Sequence, residues 1–109
     1  MLFNILASAI ITLTVQPSGC FSPCPVAITV RLDDTKPGDK LRIEADCPES
    51  FEAGEPIMHI GQKVYKPNKP FVLRGADVCE VRAMLIRRKD AGWVQHNAIS
   101  HVRLAGGEL

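Results

Sequence analysis

The chain has 109 residues, the length of a single domain, and 46% of them are hydrophobic, which is enough for one core. Its formal net charge is +1, so it has no strong field that would attract nucleic acid or an anionic membrane. Only 6% of the residues are aromatic, which argues against a surface that stacks bases or sugars.

The N-terminal region is free of charge: the first charged residue is Arg31. Residues 1–15 are nearly all apolar, so a membrane, an export machinery, the domain's own core or a neighbouring subunit must cover them. A transmembrane helix is disfavoured, because it needs about 18–20 apolar residues and this run is shorter.

Two motifs in this region resemble the ends of export signals. Residues 7–9, Ala-Ser-Ala, have the small-x-small form, but the segment before them is too short for the apolar part of a secretory signal, about 7–15 residues. Residues 18–20, Ser-Gly-Cys, resemble the end of a bacterial lipoprotein signal. That match departs from the usual pattern, because Pro17 stands where a leucine is usual and no Lys or Arg precedes it.

A strand is the alternative for the later part of this region. Ile11, Leu13 and Val15 alternate with polar residues, which predicts a strand over residues 9–16, ended by a turn at Pro17. Residues 1–8 then either extend that strand within the domain or form an apolar arm that lies on another chain. We favour the arm. Its interacting side chains are Leu2, Phe3, Ile5, Leu6 and Ile10.

Alternating or β-branched apolar residues predict the remaining strands, and Pro- or Gly-containing segments predict the turns. The predicted strands are residues 26–32, 41–47, 57–60, 62–65, 71–73, 79–86 and 93–104, with 57–65 alternatively one strand bent at Gly61. The predicted turns and loops are residues 20–25, 33–39, 49–56, 66–70 and 89–92, the last with Gly92 at a positive φ.

About seven short strands separated by turns predict an all-β fold, an antiparallel β-sandwich. The pattern resembles the immunoglobulin-like family over nearly the whole chain. Trp93 follows both Cys47 and Cys79, and Tyr65 is the single tyrosine, so the Cys-Trp-Cys order and the tyrosine corner of that family are missing. A small domain with an apolar leading segment also resembles the Ig-like accessory proteins of bacteriophage particles. We divide the chain into an arm (1–8), a sandwich (9–105) and a tail (106–109).

The four cysteines allow more than one arrangement. Cys47 and Cys79 lie where two predicted antiparallel neighbours meet, so a disulfide between them is plausible and would contribute about 3 kcal/mol; two buried thiols are the alternative. Cys20 and Cys24 could bond to each other, bond outside the domain or stay reduced. Disulfides would suggest an oxidising environment.

No motif for catalysis or for phosphate or dinucleotide binding occurs, and we expect no catalytic residue, metal ion or cofactor. The Cys20/Cys24 pair is one zinc knuckle where a structural site needs two. Arg87, Arg88 and Lys89 form a small basic patch at the predicted hairpin tip, either a solvated turn or a contact for an acidic partner.

These observations together favour a non-enzymatic structural or interaction protein. We expect a virion accessory subunit, such as a capsid decoration or cement protein, whose N-terminal arm docks on capsid protein or on copies of itself by strand addition. No nucleic acid, small-molecule substrate or membrane partner is expected. The rival hypothesis is an exported Ig-like binding module of a bacterial envelope, with residues 1–19 as a signal and Cys20 as a lipid anchor.

Overall fold

The computed structural model describes residues 10–105, and within that range the protein is all-β, with no helix. Its strands are β1 (Ile11–Gln16), β2 (Gly19–Phe21), β3 (Cys24–Leu32), β4 (Lys40–Asp46), β5 (Phe51–Gly54), β6 (Val64–Tyr65), β7 (Phe71–Leu73), β8 (Asp77–Lys89) and β9 (Gly92–Ala105). The predicted arm, residues 1–8, and the predicted tail, residues 106–109, lie outside the described residues.

The strands form two sheets that enclose one hydrophobic core. In the first sheet, β3 pairs antiparallel with β1, β6 and β7. The second sheet has the order β2-β9-β8-β4-β5. Inward-facing residues of both sheets fill the space between them because side chains alternate along each strand. The largest fully buried side chains are Tyr65, Leu32, Leu41, Ile43, Leu73, Leu85, Val30, Val81 and Val102.

The strands predicted from strict alternation are confirmed. Burial alternates along β3, β4 and most of β8 as the sequence pattern predicts, with the apolar residue inside each time. Their neighbours are also as expected, because β4 and β8 pair antiparallel from Lys40↔Ile86 to Asp46↔Glu80. An alternating pattern is reliable here because it records which face of the strand meets the core.

The prediction of an entirely antiparallel fold is wrong at one pair. β2 runs parallel to β9, with Gly19 opposite Arg103 and Phe21 opposite Ala105. Residues 17 and 18 carry the chain from β1 in the first sheet to β2 in the second, so β2 is not the hairpin partner of β1.

Two segments predicted as loops contain strands. Residues 20–25 include most of β2 and the start of β3, and residues 49–56 include β5. The side chains of β2 and β5 are exposed or half-buried, so their pairing rests on backbone hydrogen bonds and leaves no apolar alternation in the sequence.

The strand predicted over residues 57–60 is absent from the described structure. Ile57 and Ile60 are exposed, and Ile60 lies in a turn in which the Gln62 N–H donates to the His59 carbonyl, with Gly61 at φ 89°. In the β8–β9 hairpin the positive φ belongs to Asp90, at 54°, and not to Gly92 as predicted. Aspartate adopts this left-handed conformation more readily than most residues because its short polar side chain can hydrogen-bond locally.

Candidate protein-binding edge

The longest feature of the molecule is the ribbon formed by β8 and β9. The two strands pair continuously from Asp77↔Leu104 to Lys89↔Gly92. On its other side, β9 pairs with β2 only at Arg103, Leu104 and Ala105. Among residues 10–105, the stretch of β9 from residue 92 to 102 therefore has a hydrogen-bonded neighbour on one side alone. β1 of the first sheet also packs close to β9, but does not pair with it.

The backbone groups on this free side belong to alternate residues. The N–H of Arg103 donates to the Ser18 carbonyl, 3.0 Å away, which is on the side of β9 that faces away from β8. Backbone direction alternates along an antiparallel strand. The residues that direct N–H and C=O groups to the free side are therefore Trp93, Gln95, Asn97, Ile99 and His101.

The free edge lacks the residues that usually protect such a strand. In natural edge strands, Lys, Pro, inward-pointing charges or bulges prevent unwanted pairing with another strand. Residues 91–102 contain no Lys, Arg, Asp, Glu or Pro, and the charges closest in sequence are Asp90 and Arg103. The edge therefore has unpaired backbone groups and a side-chain composition that does not prevent the pairing of another strand.

Side chains on both faces of this edge remain partly accessible. On the outer face, Trp93 is 55% and Ile99 54% exposed. On the inner face, β9 is fully buried only at Val102 and Leu104, toward its end. The preceding inner residues are half-buried, namely Val94, His96, Ala98 and Ser100. A strand added to this edge would cover apolar surface on both faces.

The outer face beside the edge carries a ladder of ion pairs. The Nη2 of Arg82 lies 2.8 Å from one Glu44 oxygen, and the Nε of Arg42 lies 2.6 Å from the other. Arg42 also reaches Glu55 at 3.1 Å, and Arg82 reaches Glu80 at 2.8 Å. Hydrogen bonds from Arg42 and then Arg82 hold the pKa of Glu44 below its ordinary value, although partial burial opposes this. Two arginines and three glutamates are thus paired within the face, so most of its charge is compensated.

The three residues of the predicted basic patch at the hairpin tip do not form one surface. Arg87 points inward, where its guanidinium donates to both carboxylate oxygens of Asp39, at 3.0 and 2.8 Å, and to the Asp34 carbonyl. Arg88 instead lies over the Trp93 ring, 5.5 Å from its centroid, while Lys89 is exposed. Only Arg88 and Lys89 are therefore placed to meet a partner.

The buried carboxylate of Asp39 remains ionised because of its partners. Burial by itself raises the pKa of Asp39, but hydrogen bonds from Arg87 and from the Lys36 N–H, together with the charge of Arg87, outweigh it and lower that pKa below 3.8. Asp39 closes the turn made by Pro37 and Gly38, the latter at φ 86°. The pair thereby anchors the hairpin to the loop over residues 33–39.

Both candidate cysteine pairs form disulfides, so no described cysteine is free. Cys47 and Cys79 join the end of β4 to β8 within one sheet, with Cα atoms 4.3 Å apart. Cys20 and Cys24 join β2 to β3, and so tie the two sheets together. Of the arrangements left open for Cys20 and Cys24, the structure contains the local bridge.

Of the residues predicted for the arm, only Ile10 lies in the described range. It is half-buried against the core, and its carbonyl accepts the Asp33 N–H at 2.9 Å. The other predicted arm residues, Leu2, Phe3, Ile5 and Leu6, lie outside the described residues. Asp33 adjoins Asp34, whose carbonyl accepts from Arg87 near the hairpin tip. The chain therefore enters the domain beside that tip.

The residues described define an all-β, disulfide-bonded domain with one long accessible strand edge. No known family model, curated protein or solved structure matches the chain. Over residues 10–105, no helix is long and apolar enough to cross a membrane. The same range contains no group of three or more His, Cys, Asp or Glu side chains arranged to hold a metal ion.

None of the site residues predicted from the sequence lies on this edge. A signal for it is present, since residues 91–102 form a second uncharged stretch after the N-terminal one. The uncharged stretch indicates a free strand edge only together with the topology, in which β2 pairs with just the end of β9.

Proposed function

We propose that this chain is a non-enzymatic structural protein that docks on neighbouring protein subunits of a larger assembly by strand addition. The observation that carries the proposal is the free edge of β9, with its outward backbone groups and its lack of protecting charges. Strand addition derives affinity from main-chain hydrogen bonds and specificity from alternate side chains. Exposed Trp93 and Ile99 supply apolar area for the same contact, worth about 25 cal/mol per Å2 buried.

We further propose that the fold is an immunoglobulin-like sandwich. The order β9-β8-β4-β5 corresponds to the G, F, C and C′ strands of that fold, and β1, β3 and the β6–β7 edge correspond to A, B and E. The Cys47–Cys79 bridge departs from the usual pattern, because it joins two strands of one sheet rather than the B and F strands of different sheets.

The setting we propose is a phage particle, with the chain as a decoration or cement subunit. This rests on the resemblance of a small domain with an apolar leading segment to such accessory proteins, and on an edge suited to repeated docking. Capsid protein or further copies of this chain are then the expected partners. Stoichiometric recovery of the chain with purified particles, measured by mass spectrometry, is the expected result; its absence from every particle fraction would contradict this setting.

The exported binding module is the second candidate, and the Cys47–Cys79 disulfide favours its exported setting because such bonds persist mainly in oxidising compartments. A lipid thioether on Cys20 is incompatible with the Cys20–Cys24 bond, since both need the same sulfur. Cleavage before Cys20 would also remove β1, whose Ile11 and Val15 are buried in the core. An intact mass of the chain from its native source distinguishes the candidates: a mature form beginning at Cys20 supports the exported lipoprotein.

The docking mechanism is tested in the native source by blocking the edge. Asn97→Pro removes an N–H that faces the free side of β9 and leaves the hydrogen bonds to β8 in place. Native complexes are separated by sedimentation and the chain is quantified in each fraction. The expected result is that the natural chain sediments with a protein complex and the variant does not, while Asn97→Ser behaves as the natural chain. Sedimentation of the natural chain only as a free single copy would overturn the proposed function.

A further inference from the structure

We infer that the strand which occupies the free edge of β9 is residues 2–8 of a second copy of this chain. The inference rests on the proposed function and names the partner for that edge. Residues 2–8 contain no Lys, Arg, Asp or Glu, and neither does the stretch of β9 over residues 92–102. We call residues 2–8 the donor strand, or donor, and the free edge of β9 the acceptor edge, or acceptor. Because both are uncharged, their pairing places no unpaired charge in the contact.

The alternation of the donor matches the two faces of the acceptor. In an extended conformation, Phe3 and Ile5 share one face, which suits the half-buried inner side of β9 at Val94 and Ala98. The other face contains Leu2, Asn4 and Leu6. It would lie beside the outer side of β9, where Ile99 is exposed and Asn97 offers a polar partner for Asn4.

The length of the donor also fits. Residues 2–8 span roughly 23 Å when extended, at about 3.3 Å per residue. The free stretch of β9, residues 92–102, is longer than the donor and accommodates its full length on one edge.

The donor comes from another molecule because its own chain leads away from this edge. Ile10 forms a bend that leads into β1 and lies beside the hairpin tip, where the free edge begins and then runs back along the domain. Reaching that edge within one molecule requires a tight reversal just before Ile10. Between Asn4 and Pro17 no Gly, Pro, Asn or Asp occurs, and Ser8 is the single residue of a type that favours turns, so the sequence gives little support to such a reversal.

The test uses two complementary variants of the full purified chain. Deletion of residues 2–9 removes the donor and keeps β1, while Asn97→Pro blocks the acceptor and keeps the donor. Light scattering measures the mass of each variant alone and of their equimolar mixture. The matched control is Asn97→Ser, which retains the backbone N–H. Cooperative thermal unfolding and intact disulfides verify that each variant is folded.

The expected result is that the natural chain and Asn97→Ser have at least twice the monomer mass, and that each blocked variant alone is a monomer. The mixture should form a one-to-one complex, because one variant supplies the donor and the other the acceptor. If Asn97→Pro does not fold, the pair Gln95→Lys and Asn97→Lys places charges on the same edge without altering the backbone.

A mixture that stays monomeric, or a natural chain that is already a monomer at high concentration, overturns the inference. So does a natural chain whose mature form begins at residue 10, since the donor is then removed. None of these results overturns the proposed function, which fails only if the chain sediments as a free single copy in its native source.

Discussion

The ion pair between Arg87 and Asp39 is the residue-scale contact that positions the hairpin. The two side chains are only 11% and 1% exposed, so each depends on the other for charge compensation. Removing one partner of a buried pair leaves an uncompensated charge, which is more costly than the pair itself is stabilising.

We predict that Arg87→Met lowers the free energy of unfolding by about 3 kcal/mol, because Asp39 stays buried without its main partner. Urea denaturation at neutral pH measures the change. The control is Arg88→Met, which removes an exposed side chain over Trp93 and should cost no more than about 1 kcal/mol. Equal losses for the two variants would contradict the assigned role of Arg87.

The same pair predicts a pH dependence. The pKa of Asp39 is lower in the folded protein than its ordinary 3.8, so the unfolded state binds its proton first as pH falls. The stability advantage of the natural chain over Asp39→Asn should therefore be complete above about pH 5 and disappear as pH falls through the lowered pKa. Denaturation at several pH values between about 2 and 7 measures it. An advantage that grows on acidification would show that the sign is wrong.

Gly75 is the residue at which the backbone most clearly requires glycine. Its φ is 114°, and an added Cβ would lie 3.1 Å from the Pro48 Cβ and 3.2 Å from the Glu49 nitrogen. We predict that Gly75→Ala lowers stability by about 1–3 kcal/mol. Gly92→Ala, where no atom lies within 4 Å and φ is not positive, should be neutral within about 1 kcal/mol. Thermal unfolding of both variants compares them directly.

At the scale of strands, the two disulfides differ in the length of chain they close. Cys47 and Cys79 are 32 positions apart, and Cys20 and Cys24 only 4. In the chain-entropy model, a longer closed loop restricts the unfolded state more.

We predict that replacing both Cys47 and Cys79 by Ala lowers stability by about 3–4 kcal/mol, and replacing both Cys20 and Cys24 by about 2 kcal/mol. Denaturant unfolding of each double variant under non-reducing conditions measures these losses. A larger loss from the Cys20–Cys24 pair would mean that its link between the two sheets matters more than loop length.

Strand prediction from sequence succeeded where a strand has one face in the core and failed at the edges. β3, β4 and β8 follow the apolar alternation, since Val30, Ile43 and Val81 each point inward. β2 and β5 pair through their backbone groups, and their side chains are exposed or half-buried. The sequence therefore shows no apolar alternation that would predict them. Ile57 and Ile60 led to the opposite error, a predicted strand where there is none, because they are apolar but exposed loop residues.

At the scale of the whole molecule, the binding edge depends on topology that no local pattern contains. The uncharged stretch over residues 91–102 is visible in the sequence, and so is the apolar segment before β1. That β2 covers only the last three residues of β9 is a property of the assembled sheet. The same topology places the entry of the chain at Ile10 beside the tip of the β8–β9 hairpin.

Amide hydrogen exchange along β9, resolved by residue, tests the central claim most directly. The full chain is compared with the chain that lacks residues 2–9, with β8-facing amides such as Val94 and Ala98 as an internal control that stays protected in both. We predict that the edge amides of Gln95, Asn97 and Ile99 are protected in the full chain and exchange fast after the deletion. Edge amides that exchange equally fast in both chains would contradict docking at this edge by the N-terminal segment.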